Sequence, residues 1–166
     1  MHFKHFTRLF LLMGMIGLMS GPLRAEEIPI GSGSQTDANL PSHSYYKYSL
    51  TQQIYTATEI ENAGGGAGTI SSIAFYNGGS TKTRNFSIYL VNTDKESFSG
   101  NSDWITVSAD NLVFSGNVDM TANDWTTITF SNPFSYDGSN LAIVEDDNTG
   151  NYETGMSCSI FTASSP

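Results

Sequence analysis

Phe86, Ile88 and Leu90 alternate with Ser87, Tyr89 and Val91. That two-residue repeat sends each set to one face of an extended strand. The same period recurs after Trp125, where Ile128 and Phe130 share a face among threonines, and a β-rich run carries Ile70, Ile73 and Phe75. Further strands are predicted at 52–57, 104–107, 112–118, 141–144 and 158–162. No window repeats apolar residues at i, i+3, i+4 and i+7 over three turns, so no substantial helix is expected. Clusters of Gly, Asn, Asp, Ser and Pro at 62–68, 77–80, 92–95, 100–103, 131–134 and 137–140 separate the runs. Such residues supply positive φ or side-chain-capped turns. Short strands at roughly even spacing predict one all-β domain, a sandwich or barrel, with no second domain and no internal repeat.

The first residues do not fit this pattern. Lys4 and Arg8 precede an apolar run at 9–19, Ser20-Gly21-Pro22 breaks it, and Ala25 stands before Glu26-Glu27. This order is that of a secretory signal peptide. The apolar run is too short for a bilayer span, which takes roughly 20 residues. The chain therefore divides into a signal peptide (1–25), an exposed Gly/Ser-rich lead-in (26–40) and a β-sandwich domain (41–166). The expected location is secreted or cell-surface, with no integral membrane segment after cleavage.

Charge narrows the partners. The 166-residue chain carries 7 basic and 16 acidic residues, a net charge of −9. Loss of Lys4, Arg8 and Arg24 leaves four basic against 16 acidic residues, a net of −12. Nucleic acid binding needs Lys and Arg on phosphates, so nucleic acid is not an expected partner. Cys158 is the only cysteine. The domain must then be held by its apolar core rather than by an internal disulfide.

Catalytic constellations are poorly represented. Past residue 25 the only histidine is His43, in Pro41-Ser42-His43-Ser44, and no Gly-x-Ser-x-Gly elbow occurs. One histidine and one cysteine are too few for a zinc site. A carboxylate pair of the glycoside hydrolase kind remains compatible with so many acids. Adjacent acids in one strand point to opposite faces, however, which separates Asp146 from Asp147. The reading is therefore non-enzymatic.

Two stretches are candidates for binding. The run LAIVEDDNTG ends an apolar strand at Glu145, Asp146, Asp147 and Asn148. The EF-hand pattern fails there, because position five counted from Asp146 is Gly150 and position six is Asn151. Two readings stand: a strand leaving the core for a turn, or an irregular Ca²⁺ site built on these four oxygen-bearing residues. The Gly65-Gly66-Ala67-Gly68 run lacks the Asp of a calcium-binding repeat, since Ile70 occupies its place. The second stretch holds Tyr45, Tyr46 and Tyr48, which with Trp104 offer apolar faces and polar tips suited to sugar rings or protein surfaces. The alternative is that these aromatics fill the core.

Six runs taken in order carry a resemblance: SYYKYSLTQQIYTATEI (44–60), GTISSIAFYN (68–77), TRNFSIYLVNTDKESF (83–98), VFSGNV (113–118), WTTITFSNPFSYDGSNLAIVEDDNTG (125–150) and MSCSIF (156–161). Together they resemble a secreted β-sandwich surface module of Bacteroidota, similar to the cleaved-adhesin modules of gingipain-type haemagglutinins. The resemblance implies a jelly-roll-like β-sandwich, display at the surface, and adhesion to a glycan or to a host or matrix protein, with no catalytic residues. It also implies strands beyond the MSCSIF run, so a sandwich short of its C-terminal strand or strands is expected, as in a truncated product. A structural spacer within a larger surface protein is the rival reading.

Overall fold

The computed structural model describes residues 4–7, 9–14, 26–31 and 35–163. Its elements are β1 (Lys4–Thr7), β2 (Leu9–Gly14), β3 (Glu26–Ile30), β4 (Gln35–Asp37), β5 (Ser49–Tyr55), α1 (Ala57–Asn62), β6 (Gly68–Asn77), β7 (Lys82–Thr93), a 3-10 turn (Ala109–Asn111), β8 (Leu112–Met120), β9 (Asp124–Tyr136), β10 (Asn140–Asp147) and β11 (Cys158–Ala163).

The described strands form two antiparallel sheets packed as an all-β sandwich. One has the order β1-β11-β6-β2-β3, with β9 also on β6 and β4 on β11. The other has the order β5-β10-β7-β8. Strand alternation builds the core between them. From β7 it takes Phe86, Ile88 and Leu90, from β10 Leu141 and Ile143, and from β9 Ile128 and Phe130. Beside β9 in the same sheet, β6 supplies Ile70, Ile73 and Phe75, a set that breaks the period of two. A register shift between Ile70 and Ser72 accounts for the break. Against β2, where Met13 pairs with Ile70 and Leu12 with Ser72, β6 carries one extra residue, which returns Ile73 and Phe75 to the face that Ile70 occupies.

Two expectations need correction, and one short element adds to the reading. The run 104–107 is not a strand. It lies beside β5, where the Gln52 amide bonds both backbone groups of Ile105: Nε2 donates to its carbonyl at 2.7 Å, and its N–H donates to Oε1 at 2.8 Å. A side chain stands in for the neighbouring strand. A short helix, α1, was not expected. Its signal is a capping box, in which Thr56 accepts from the Glu59 N–H and Glu59 reaches back to the Thr56 N–H. Six residues are too few to display an apolar period, and only Ile60 is buried. The lead-in at 26–40 is not simply exposed, because Ile28 and Ile30 of β3 belong to the core.

Strands β1 and β2 fall inside the segment read as a signal peptide. β2 pairs antiparallel with β3 and with β6, and β1 with β11. Among the described residues no helix is long and apolar enough to cross a membrane.

Candidate functional site

The odd-numbered residues of β10 face the sandwich interior, and they run Leu141, Ile143, Glu145, Asp147. The interior therefore changes from apolar to acidic along one strand. Neighbouring strands change with it. Arg84 precedes Phe86 on β7, and Gln53 on β5 pairs with Ile143. Arg84, Glu145 and Asp147 are all 0% exposed.

Burying charge is costly unless it is paired and hydrogen-bonded. Asp147 meets that condition. Its Oδ2 accepts from Arg84 Nε at 2.9 Å and Nη2 at 2.5 Å, and its Oδ1 accepts from the Thr149 N–H at 3.0 Å and hydroxyl at 2.6 Å. Arg84 Nη1 has no hydrogen bond, but the Glu153 carboxylate lies 3.9 Å away, itself 3.7 Å from Lys82 Nζ. Glu145 is less well served. Gln53 Nε2 donates to its Oε2 at a long 3.5 Å, and Oε1 lacks a hydrogen-bond partner. Burial, with the Asp147 charge adding to it, pushes the Glu145 carboxyl well above the ordinary carboxylate range. Cys158, also in the core, has its thiol pushed up first by burial and then by the Glu145 charge. That position suits a small apolar residue rather than a reactive thiol.

The Arg84–Asp147 pair fixes the chain that follows β10. The Asn148 N–H donates to the Asn85 carbonyl at 2.8 Å, and the Asn85 N–H donates to the Thr149 hydroxyl at 3.0 Å. Beyond this clamp the chain meets the segment preceding β5. The Gly150 N–H donates to the Lys47 carbonyl at 2.8 Å, and the Glu153 N–H to the Ser44 carbonyl at 3.1 Å. Gly150 has φ +78°, a conformation that favours glycine.

Two loops, 43–48 and 148–153, are thereby stitched side by side, and both carry tyrosines. Tyr45 is 54% exposed, Tyr46 51%, Tyr48 65% and Tyr152 65%. The Tyr45 and Tyr46 rings meet edge to face, with centroids 5.3 Å apart and planes at 85°. Tyr152 lies 6.1 Å from Tyr45 at 56°, and His43 lies 4.6 Å from Tyr46. Lys47 Nζ sits 5.1 Å from the centroid of the Tyr152 ring. Tyr48 joins them at Gly150, where a Cβ would come within 3.7 Å of its hydroxyl. The structure therefore brings Tyr45, Tyr46 and Tyr48 onto one surface and adds Tyr152, which sequence reasoning missed. Its only sequence signal is one aromatic residue in an otherwise polar turn.

Trp104 stands elsewhere. It is 51% exposed, and its indole N–H donates to the Asn101 carbonyl at 3.0 Å. Among the described residues no ring contact joins it to the tyrosines. Its loop is braced by Asp103, which pairs with Lys95 and accepts from Ser99. The Lys95 hydrogen bond is the main reason that the Asp103 carboxyl is held down to about 2.

The four oxygen-bearing residues considered for Ca²⁺ are split by the strand. Glu145 and Asp147 point inward, Asp146 lies on the opposite face, and Asn148 is exposed. Both Asp147 oxygens are already engaged by Arg84 and Thr149. Among the described residues no group of three or more His, Cys, Asp or Glu is placed to hold a metal ion.

No known family matches this chain, and neither a curated protein nor a solved structure does.

Proposed function

We propose that this chain is a non-catalytic recognition module, exported to the cell surface or beyond, that binds a glycan or a protein through Tyr45, Tyr46, Tyr48 and Tyr152. One observation carries the reading: two loops, tied together and anchored from below, hold four tyrosines that are each at least half exposed. Burial of a large aromatic side chain contributes about 1.5–3 kcal/mol. A fold that leaves half or more of four such side chains uncovered in one place fits a surface that is covered by something else. Tyrosine suits that purpose, since it offers much contact area at little entropic cost and keeps a polar tip.

The test is a glycan array together with a pull-down from a matrix-protein panel, comparing the chain with its Tyr45→Ala/Tyr152→Ala variant. A ligand retained by the parent and lost by the variant supports the reading. Equal capture by both would place binding away from these tyrosines, and capture by neither would favour a spacer module. Mass analysis of chain recovered outside the expressing cells tests export. A new N-terminus at Glu26 is the expected result, and intact Met1 on exported chain would refute the signal peptide.

A further inference from the structure

The geometry points to a cation as what the tyrosine surface holds, and we propose a lysine- or arginine-rich segment of a partner protein as its occupant. This inference rests on reading the surface as a recognition site and names the chemistry of its ligand.

Three observations lead there. First, the surface already holds a cation: the Lys47 ammonium lies 5.1 Å from the Tyr152 centroid, within the range where the ring quadrupole attracts positive charge. Lys47 sits on a long flexible stem in a residue that is itself exposed. A partner's ammonium or guanidinium can therefore displace it at little structural cost. Second, the rings do not form a shelf. Tyr45 and Tyr46 stand at 85°, and Tyr45 and Tyr152 at 56°. The flat face of a sugar packs best on one ring or on coplanar rings. Rings set at steep angles present π faces from different directions, which suits a compact charge approached from several sides. Third, the whole chain is acidic, at −9, so its field draws basic partners in and repels acidic ones.

Lys47 is then an internal competitor, and this sets the inference apart from ordinary contact. Removing a residue that touches a ligand weakens binding. Removing one that occupies the ligand's place strengthens it.

The experiment is an NMR titration of the full chain with pentalysine, and in parallel with a neutral hexasaccharide, reading the tyrosine ring resonances. Pentalysine is expected to shift Tyr45 and Tyr152. Tyr152→Ala should weaken that binding about threefold to fivefold, the scale of one exposed cation–π contact. Lys47→Gln should strengthen it about twofold or more. Lys95→Gln removes the same charge from a different loop and should change it less. Circular dichroism of each variant confirms that it is folded. Weaker or unchanged binding by Lys47→Gln, or an equal gain from Lys95→Gln, overturns the inference. Shifts with the hexasaccharide alone, lost in Tyr152→Ala, would overturn it while leaving the recognition surface intact. No tyrosine response to either probe would remove both.

Discussion

The two ends of the segment from Glu145 to Tyr152 invert the usual rule of burial. Arg84, Glu145 and Asp147 are wholly enclosed, while Tyr152, a few residues on, and Tyr45 and Tyr46 on the loop bonded beside it are each more than half exposed. Strand parity accounts for the first half. β10 continues its alternation past Ile143, and whatever occupies positions 145 and 147 is carried inside. Loop geometry accounts for the second half, since residues 148–153 are bonded through their backbone to 43–48, which leaves Tyr152, Tyr45 and Tyr46 outward while the Glu153 carboxylate turns toward Arg84. The difference shows how buried charges can set the position of an exposed loop. Asp147 is spent on Arg84 and Thr149, and what it gains is a fixed starting point for the loop that displays the aromatics.

Breaking the anchor should have the largest effect. Arg84→Met leaves Asp147 charged and unpaired inside the fold, and is expected to lower stability by about 3–5 kcal/mol in urea or thermal unfolding. Arg84→Met with Asp147→Leu removes both charges and should recover most of that loss. A mild effect of the single change would mean that the pair is not the anchor described here.

Next comes Glu145, which sharpens the contrast within the buried set because it lacks a proper partner. Its folded carboxyl is raised above its unfolded value, so the folded state holds the proton more tightly. Its contribution is complete below the ordinary carboxylate pKa and is lost as pH rises toward the folded value. Across that window stability should fall by about 1.4 kcal/mol per pH unit. Glu145→Gln should flatten this dependence, seen as melting temperatures converging at low pH and separating at high pH. Parallel profiles for the two proteins would show that Glu145 is not held neutral.

The exposed side of the comparison predicts a smaller effect. Tyr45→Ala with Tyr152→Ala should alter stability by no more than about 0.5 kcal/mol, as for surface positions generally. A large loss would reveal the tyrosines as structural cover. Smallest of all is the response to metal. Calcium followed by EDTA should move the melting midpoint of the full chain by less than about 1 °C, because Asp147 is engaged and Asp146 faces away. An occupied site at a hundredfold excess over its Kd would add about 2.7 kcal/mol and several degrees.

Much of the fold was legible because a two-residue period needs only a few positions to declare itself. The runs at 86–91 and 125–130 became strands for the reason that predicted them, and the continuous apolar run at 141–144 became one as well. The run at 104–107 had the right composition and failed, because pairing is decided by a neighbour, and Gln52 filled that place with a side chain. The Ile70–Ile73 spacing could not announce a bulge, which depends on two partner strands. At the site, three tyrosines close in sequence were visible as a cluster. Tyr152 lies over a hundred residues away and joins them only through the Gly150–Lys47 and Glu153–Ser44 bonds. Asp147 read as a strand exit or a metal ligand, because nothing local reveals that Arg84, 63 positions earlier, is buried beside it.

The Gln52 amide has a meaning beyond the packing of one loop. β5 ends its sheet, and an edge strand with free N–H and C=O groups is a template on which another molecule can add a strand. By bonding Ile105 in both directions, Gln52 holds the 104–107 run beside that edge. A residue without an amide, such as valine, would leave this stretch of edge open. Its consequence would appear as concentration-dependent assembly, visible by light scattering, in a chain whose fold was otherwise intact.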